Sequence, residues 1–95
     1  MSVFRFPRTR FVDELDFCRQ FTHVRSEVDE VWQELERLYP QLADPVRVGE
    51  ECVDLLHSCE TLLRILQEKH GVDVGALSAA VRMKNYNRGY YHAQG

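Results

Sequence analysis

Residues 44–71, DPVRVGEECVDLLHSCETLLRILQEKHG, carry the reading on which the fold turns. Asp44-Pro45 is a strong helix start. A short acidic side chain at the N-cap accepts from an otherwise unpaired backbone N–H, and proline at the first helical position has a fixed φ that suits the helix. Val48, Cys52, Leu55, Cys59, Leu62 and Leu66 then recur at spacings of three and four, one face of an α-helix. Lys69 and His70 fall in the last turn, where cations suit the helix dipole, and Gly71 follows as the left-handed terminating residue. The stretch predicts a helix over 45–70.

The same logic extends outward in both directions. Upstream, Phe17, Phe21, Val24, Val28, Val31, Leu35 and Leu38 form a second apolar stripe, with Asp13 as its start and Pro40 as its stop. Ser26 with Asp29 resembles a capping box and offers a break near residues 22–26; one long helix is the reading adopted. The short Pro40–Asp44 connection favours antiparallel neighbours. Downstream, Asp73 is an N-cap for a third helix running to about Lys84, rich in small residues. Residues 1–12 read as an aromatic, basic arm, and residues 85–95 as a tail. The expectation is one all-α domain over residues 1–95. It is an antiparallel helical hairpin plus a third helix, assembling into an oligomeric four-helix-type bundle.

Composition narrows the function. A chain of 95 residues, 44% hydrophobic and 28% charged, suits one globular unit, and a chain this short commonly gains stability by oligomerising. A net charge of -3 gives no electrostatic footprint for nucleic acid. The centre is acidic, while both ends are basic (Arg5, Arg8 and Arg10; Arg82, Lys84 and Arg88). Cys18, Cys52 and Cys59, an odd number with no close pair, point to reduced thiols in a cytoplasmic setting. No apolar run approaches the ~20 residues of a membrane span, and the N-terminus lacks the apolar core of a secretory signal.

Two acidic pairs stand out. Glu27 and Glu30 form E-x-x-E in the first long helix, and Glu51 and Asp54 form E-x-x-D in the second. Residues at i and i+3 share a helix face. Glu27 and Glu30 lie roughly 80° and 140° from the centre of their stripe, and Glu51 and Asp54 roughly 55° and 115° from theirs. The rotational sense is the same in both helices, so in an antiparallel pair the four carboxylates converge beside one seam. Clustered carboxylate oxygens suit a hard cation such as Mg²⁺, with Mn²⁺ as a substitute. Taken alone, each pair reads as ordinary solvated surface.

At this point the sequence resembles a known family, the MazG-like all-α nucleoside triphosphate pyrophosphohydrolases. The resemblance rests on Ser26-Glu27-Val28-Asp29-Glu30-Val31, on Gly49-Glu50-Glu51-Cys52-Val53-Asp54-Leu55-Leu56, and on the Lys-Asn-x-x-basic segment Lys84-Asn85-Tyr86-Asn87-Arg88. It covers roughly residues 20–91. It implies a helical core pairing into a homodimer or homotetramer, and Mg²⁺-dependent hydrolysis of an NTP or dNTP to the monophosphate and pyrophosphate. It also implies Mg²⁺ held by Glu27, Glu30, Glu51 and Asp54 as the catalytic set, and phosphate or sugar contacts from Lys84, Asn85 and Arg88. The alternative is a non-catalytic helical oligomer, an accessory protein that keeps the fold.

Other residues read more plainly. Trp32, Phe17 and Phe21 are expected in a core or an interface, and Cys52 and Cys59 as buried small hydrophobes. Tyr86, Tyr90 and Tyr91 alternate with basic residues and suit either stacking on a nucleotide or packing on a partner. Asp54-x-x-His57 resembles one half of a di-iron bundle motif, but no second copy exists in the chain.

Overall fold

The computed structural model describes residues 3–38 and 44–92. It is all-helical, with helices α1 (Phe11–Glu14), α2 (Phe17–Leu38), α3 (Pro45–His70) and α4 (Val74–Asn87), and no strand among the described residues.

The helix ends follow local chemistry. Asp44 accepts from the Val46 N–H at 2.9 Å with Pro45 in the first turn, as expected. Gly71 ends α3 at φ 69°, a left-handed conformation that carries no Cβ penalty in glycine, and its N–H returns to the Leu66 carbonyl. Asp73 caps α4 by accepting from the Ala76 N–H at 3.0 Å. Two boundaries differ from the sequence expectation. Asp13 belongs to the short α1, and Asp16 caps α2 instead, its Oδ1 2.7 Å from the Arg19 N. The helix α2 runs unbroken through residues 22–26, the one long helix expected. The helix α4 continues to Asn87, so Asn85, Tyr86 and Asn87 lie on a helix rather than in a tail. Pro40 and the connection before Asp44 lie outside the described residues.

Cross-helix pairs fix the direction of the hairpin. Gln20 meets Ser58, Glu27 meets Glu51 and Asp54, and Glu34 meets Arg47. Partner numbers fall along α3 as they rise along α2, so the helices are antiparallel. The seam is unusually polar. Gln20, Val24 and Glu34 on α2 and Thr61 and Ile65 on α3 are buried. Phe17, Phe21, Val28 and Trp32 are exposed, and Trp32 keeps 60% of its surface. The apolar stripe of α2 is thus rotated partly out of the hairpin, with Val24 still buried, and the inward face is centred nearer to Glu27. Cys52 is exposed rather than buried, and Cys59 is half-buried.

The N-terminal arm is docked, not loose. The Arg5 and Phe6 N–H groups donate to the buried Glu60 carboxylate at 2.9–3.0 Å, and Arg64 donates to the Phe6 carbonyl at 2.8 Å. Arg8 joins Asp13 and Glu68 at 2.6 and 2.9 Å, and Phe6 stacks on His57 with ring centroids 4.5 Å apart. Residues 3–10 and α1 therefore cover the C-terminal half of α3. They leave its N-terminal half to α2 and the acidic pairs.

Candidate metal centre

Two helices build the cluster. Seven residues separate Gln20 from Glu27, almost two whole turns, so both face α3. On α3 the corresponding face carries Glu51, Asp54, Ser58 and Thr61. A ligand oxygen from each of Glu27, Glu51 and Asp54 lies within 4.8 Å of the other two. Glu30 sits at the exposed edge, in side-chain hydrogen-bond reach of both Glu27 and Glu51. The four expected carboxylates are thus neighbours, three in the tight group and Glu30 beside it.

Electrostatics mark the group as unbalanced. Burial, followed by the hydrogen bond and the charge of Glu30 and by the charges of Asp54 and Glu51, pushes the Glu27 carboxyl up to about 7. Burial and the neighbouring carboxylates raise Glu51 as well. Glu27 Oε2 is buried without a hydrogen-bond partner. Like charges this close disfavour full ionisation unless positive charge enters between them.

Among the described residues no ion pair brings a cation to Glu27, Glu30, Glu51 or Asp54. Arg47 instead places Nε 3.9 Å from Glu34 Oε1, one turn beyond Glu30 on α2. Among the described residues, Lys84 and Arg88 form no ion pair, and Arg88 instead lies 5.9 Å from the Tyr90 ring centroid. Asp54 is 17 residues before Gly71, about 25 Å along α3. The helix α4 starts beyond that far end and touches α3 only sparsely. Lys84, Asn85 and Arg88 are therefore not gathered with the carboxylates within one chain.

Sequence reading missed a cavity next to the cluster. A space of about 140 Å³ is lined by Gln20, Ser58 and Thr61 of the long helices and by Thr9 and Phe11 of the N-terminal segment, and it reaches Glu27 and Asp54. Gln20 is only 1% exposed. Its position among apolar neighbours in α2, opposite a serine, was the available signal.

Fold and cluster together define an all-helical protein with a carboxylate-lined site between its two long helices. No known protein family, curated protein or solved structure matches the chain.

Proposed function

We propose that the protein is a Mg²⁺-dependent nucleotide pyrophosphohydrolase, converting an NTP or dNTP to the monophosphate and pyrophosphate. The observation that carries this reading is the convergence of Glu27, Glu51 and Asp54 within 4.8 Å across the hairpin seam, with Glu27 Oε2 buried and unpartnered. The donor set fits a divalent ion: all ligands are carboxylate oxygens, and their mutual repulsion is relieved by positive charge. Glu27, Glu51 and Asp54 would hold Mg²⁺, with Glu30 completing the set from the edge. When bound, the ion neutralises phosphate charge and lowers the pKa of a coordinated water.

The chain's own groups do the rest. Bare carboxylates repel a polyphosphate, so the cluster admits one only together with cations. Glu27, protonated near neutrality in the bare cluster, is the carboxyl that gives up a proton as positive charge arrives. A carboxylate outside the ion's inner shell would accept a proton from attacking water. Lys84, Asn85 and Arg88 serve phosphate or sugar from the α4 of a second copy, because within one chain α4 leads away from the site. In this reading the protein works as a homodimer or homotetramer built on a four-helix bundle.

A screen of nucleotides with Mg²⁺ or Mn²⁺ and detection of released pyrophosphate tests it. Turnover is expected, and Glu51→Gln is expected to reduce it by about a hundredfold or more, the scale of removing one electrostatic stabiliser. A second reading, a non-catalytic helical oligomer, draws on the lack, among the described residues, of an ion pair between the cluster and a cationic side chain. It predicts no heat when Mg²⁺ and a non-hydrolysable triphosphate are titrated into the protein.

A further inference from the structure

We infer that Arg47, held at the open end of the carboxylate row by the buried Glu34, is the cation that this chain supplies to the pyrophosphate end of its own substrate. This deepens the proposed hydrolase and rests on that reading for its catalytic consequence.

Glu34 carries the argument. It lies seven residues beyond Glu27, almost two whole turns, so it continues the line of Gln20 and Glu27 along the seam. It keeps only 9% of its surface, and its Oε1 is buried without a hydrogen-bond partner. A carboxylate so placed is costly unless a positive charge stands near it. Arg47 is that charge, with Nε 3.9 Å from the same oxygen. At this distance the two attract but share no hydrogen bond. Among the described residues the Arg47 guanidinium has no other partner, and its side chain is 61% exposed. The buried carboxylate thus holds the arginine by charge alone and leaves its fork of N–H donors for a second anion.

Geometry brings that anion to the cluster. Arg47 and Glu51 are four residues apart on α3, one turn and about 6 Å. Glu34 is likewise one turn from Glu30 on α2, and its charge reaches Glu51. The row therefore runs from Asp54 and Glu27 through Glu51 and Glu30 to Glu34, with one cation at its end. A polyphosphate is long enough to meet both features, one part at the carboxylates through a divalent ion and the next part at Arg47. Arg47 also lies in the first turn of α3, where the positive end of the helix dipole adds to its pull on anions. Hydrolysis forms a bond from the water oxygen to phosphorus, and the water's proton passes to a carboxylate. The bond to the bridging oxygen breaks, and that oxygen leaves with the electron pair. Negative charge thus grows on the departing pyrophosphate, where a guanidinium stabilises it.

Inorganic pyrophosphate with Mg²⁺, titrated calorimetrically into the full chain, tests the clamp. Wild type should bind it. Arg47→Met, which keeps an apolar stem without the charge, should bind it about tenfold more weakly or worse, the loss of one charge-assisted pair. Arg47→Lys should fall between, since it keeps the charge without the fork. Mg²⁺ alone should bind Arg47→Met no more weakly than wild type, which separates the clamp from the metal ligands. If Arg47→Met is unstable because Glu34 is left unpaired, Arg47→Met with Glu34→Gln should show the same loss of pyrophosphate. In turnover, kcat/KM should follow the same order, with part of the loss in kcat. Pyrophosphate binding that is equal in wild type and Arg47→Met, or absent from wild type, overturns the clamp. An unchanged kcat/KM in Arg47→Met also overturns it and leaves the hydrolase standing. Pyrophosphate binding that is lost with Arg47, in a protein that turns over no nucleotide, would sustain the clamp and remove the hydrolase.

Discussion

Glu27 stands between like charges on a partly buried stretch of helix, and the consequence is measurable without substrate. In an unfolded chain its carboxyl titrates at the ordinary value of 4.5, and in the fold at about 7. Between those values the folded state keeps a proton that the unfolded state has released, so stability falls as pH rises through this window. Glu51, also raised, acts in the same direction. Asp13 and Glu68, lowered first by their hydrogen bonds to Arg8, act in the opposite sense and lose their contribution on acidification. Comparing wild type with Glu27→Gln cancels that second effect. In EDTA, Glu27→Gln should gain melting temperature over wild type progressively from pH 4.5 to 7 and level off above. A difference that does not change with pH would show that Glu27 carries its charge freely. Added Mg²⁺ should raise the wild-type melting temperature at pH 7 and not that of the variant, since binding to the folded state alone is stabilising.

At the scale of elements, caps and terminators were legible in the sequence because they are local. Asp44-Pro45, Gly71 and Asp73 act within one turn of themselves. Spacing also indicated that the acidic pairs converge. What spacing could not reveal was which face of α2 meets α3. Periodicity detects the most apolar face, and here that face is turned partly outward, with Phe17, Phe21 and Val28 exposed and Val24 buried, while Gln20, Glu27 and Glu34 line the seam. The inward rotation is roughly 50° from the stripe centre, enough to take Glu27 from flank to contact. Nor could periodicity reveal the docked arm, whose contacts join residues more than 50 positions apart through backbone groups that leave no side-chain signature. That docking has its own test. Among the described residues, Glu60 alone accepts from the Arg5 and Phe6 N–H groups, and it is buried. Glu60→Leu should destabilise the chain by about 2 kcal/mol in denaturant titration, from donors left without a partner. It should also speed hydrogen exchange at residues 5 and 6 well above that of the α3 core. Unchanged exchange there would mean that the arm is held by its aromatic contacts alone, Phe6 on His57 and Phe4 under Arg64.

The whole molecule is larger than its mass calls for. Its accessible surface is 7350 Å², against about 5,700 Å² for a compact monomer of 11.2 kDa, and its radius of gyration is 15.8 Å against about 12 Å. The excess surface is about twice what one protomer gives to an interface of standard size. It is also apolar where assembly would need it. Phe17, Phe21, Val28 and Trp32 fall within about 60° of one another around α2, roughly 90° from the seam. The half-buried stripe of α3, including Leu55, Leu62 and Leu66, is displaced in the same rotational sense, so in an antiparallel pair both stripes meet on one side of the hairpin. The helix α4 adds Leu77, Val81, Met83 and Tyr86, all exposed. This is the surface a bundle would bury, and the arrangement separates Lys84 from the carboxylates in one chain. Light scattering should therefore give a dimer or tetramer. The single tryptophan, Trp32, should shift its emission to the blue as protein concentration rises through the association range, and melting temperature should rise with it. Trp32→Glu with Phe21→Glu should yield a monomer that keeps its helical content, since neither side chain lies in the seam. If the second copy brings Lys84 to the site, that monomer should lose pyrophosphate release with Glu27, Glu51 and Asp54 intact. A monomeric wild type that turns over nucleotide would remove the second copy from the mechanism.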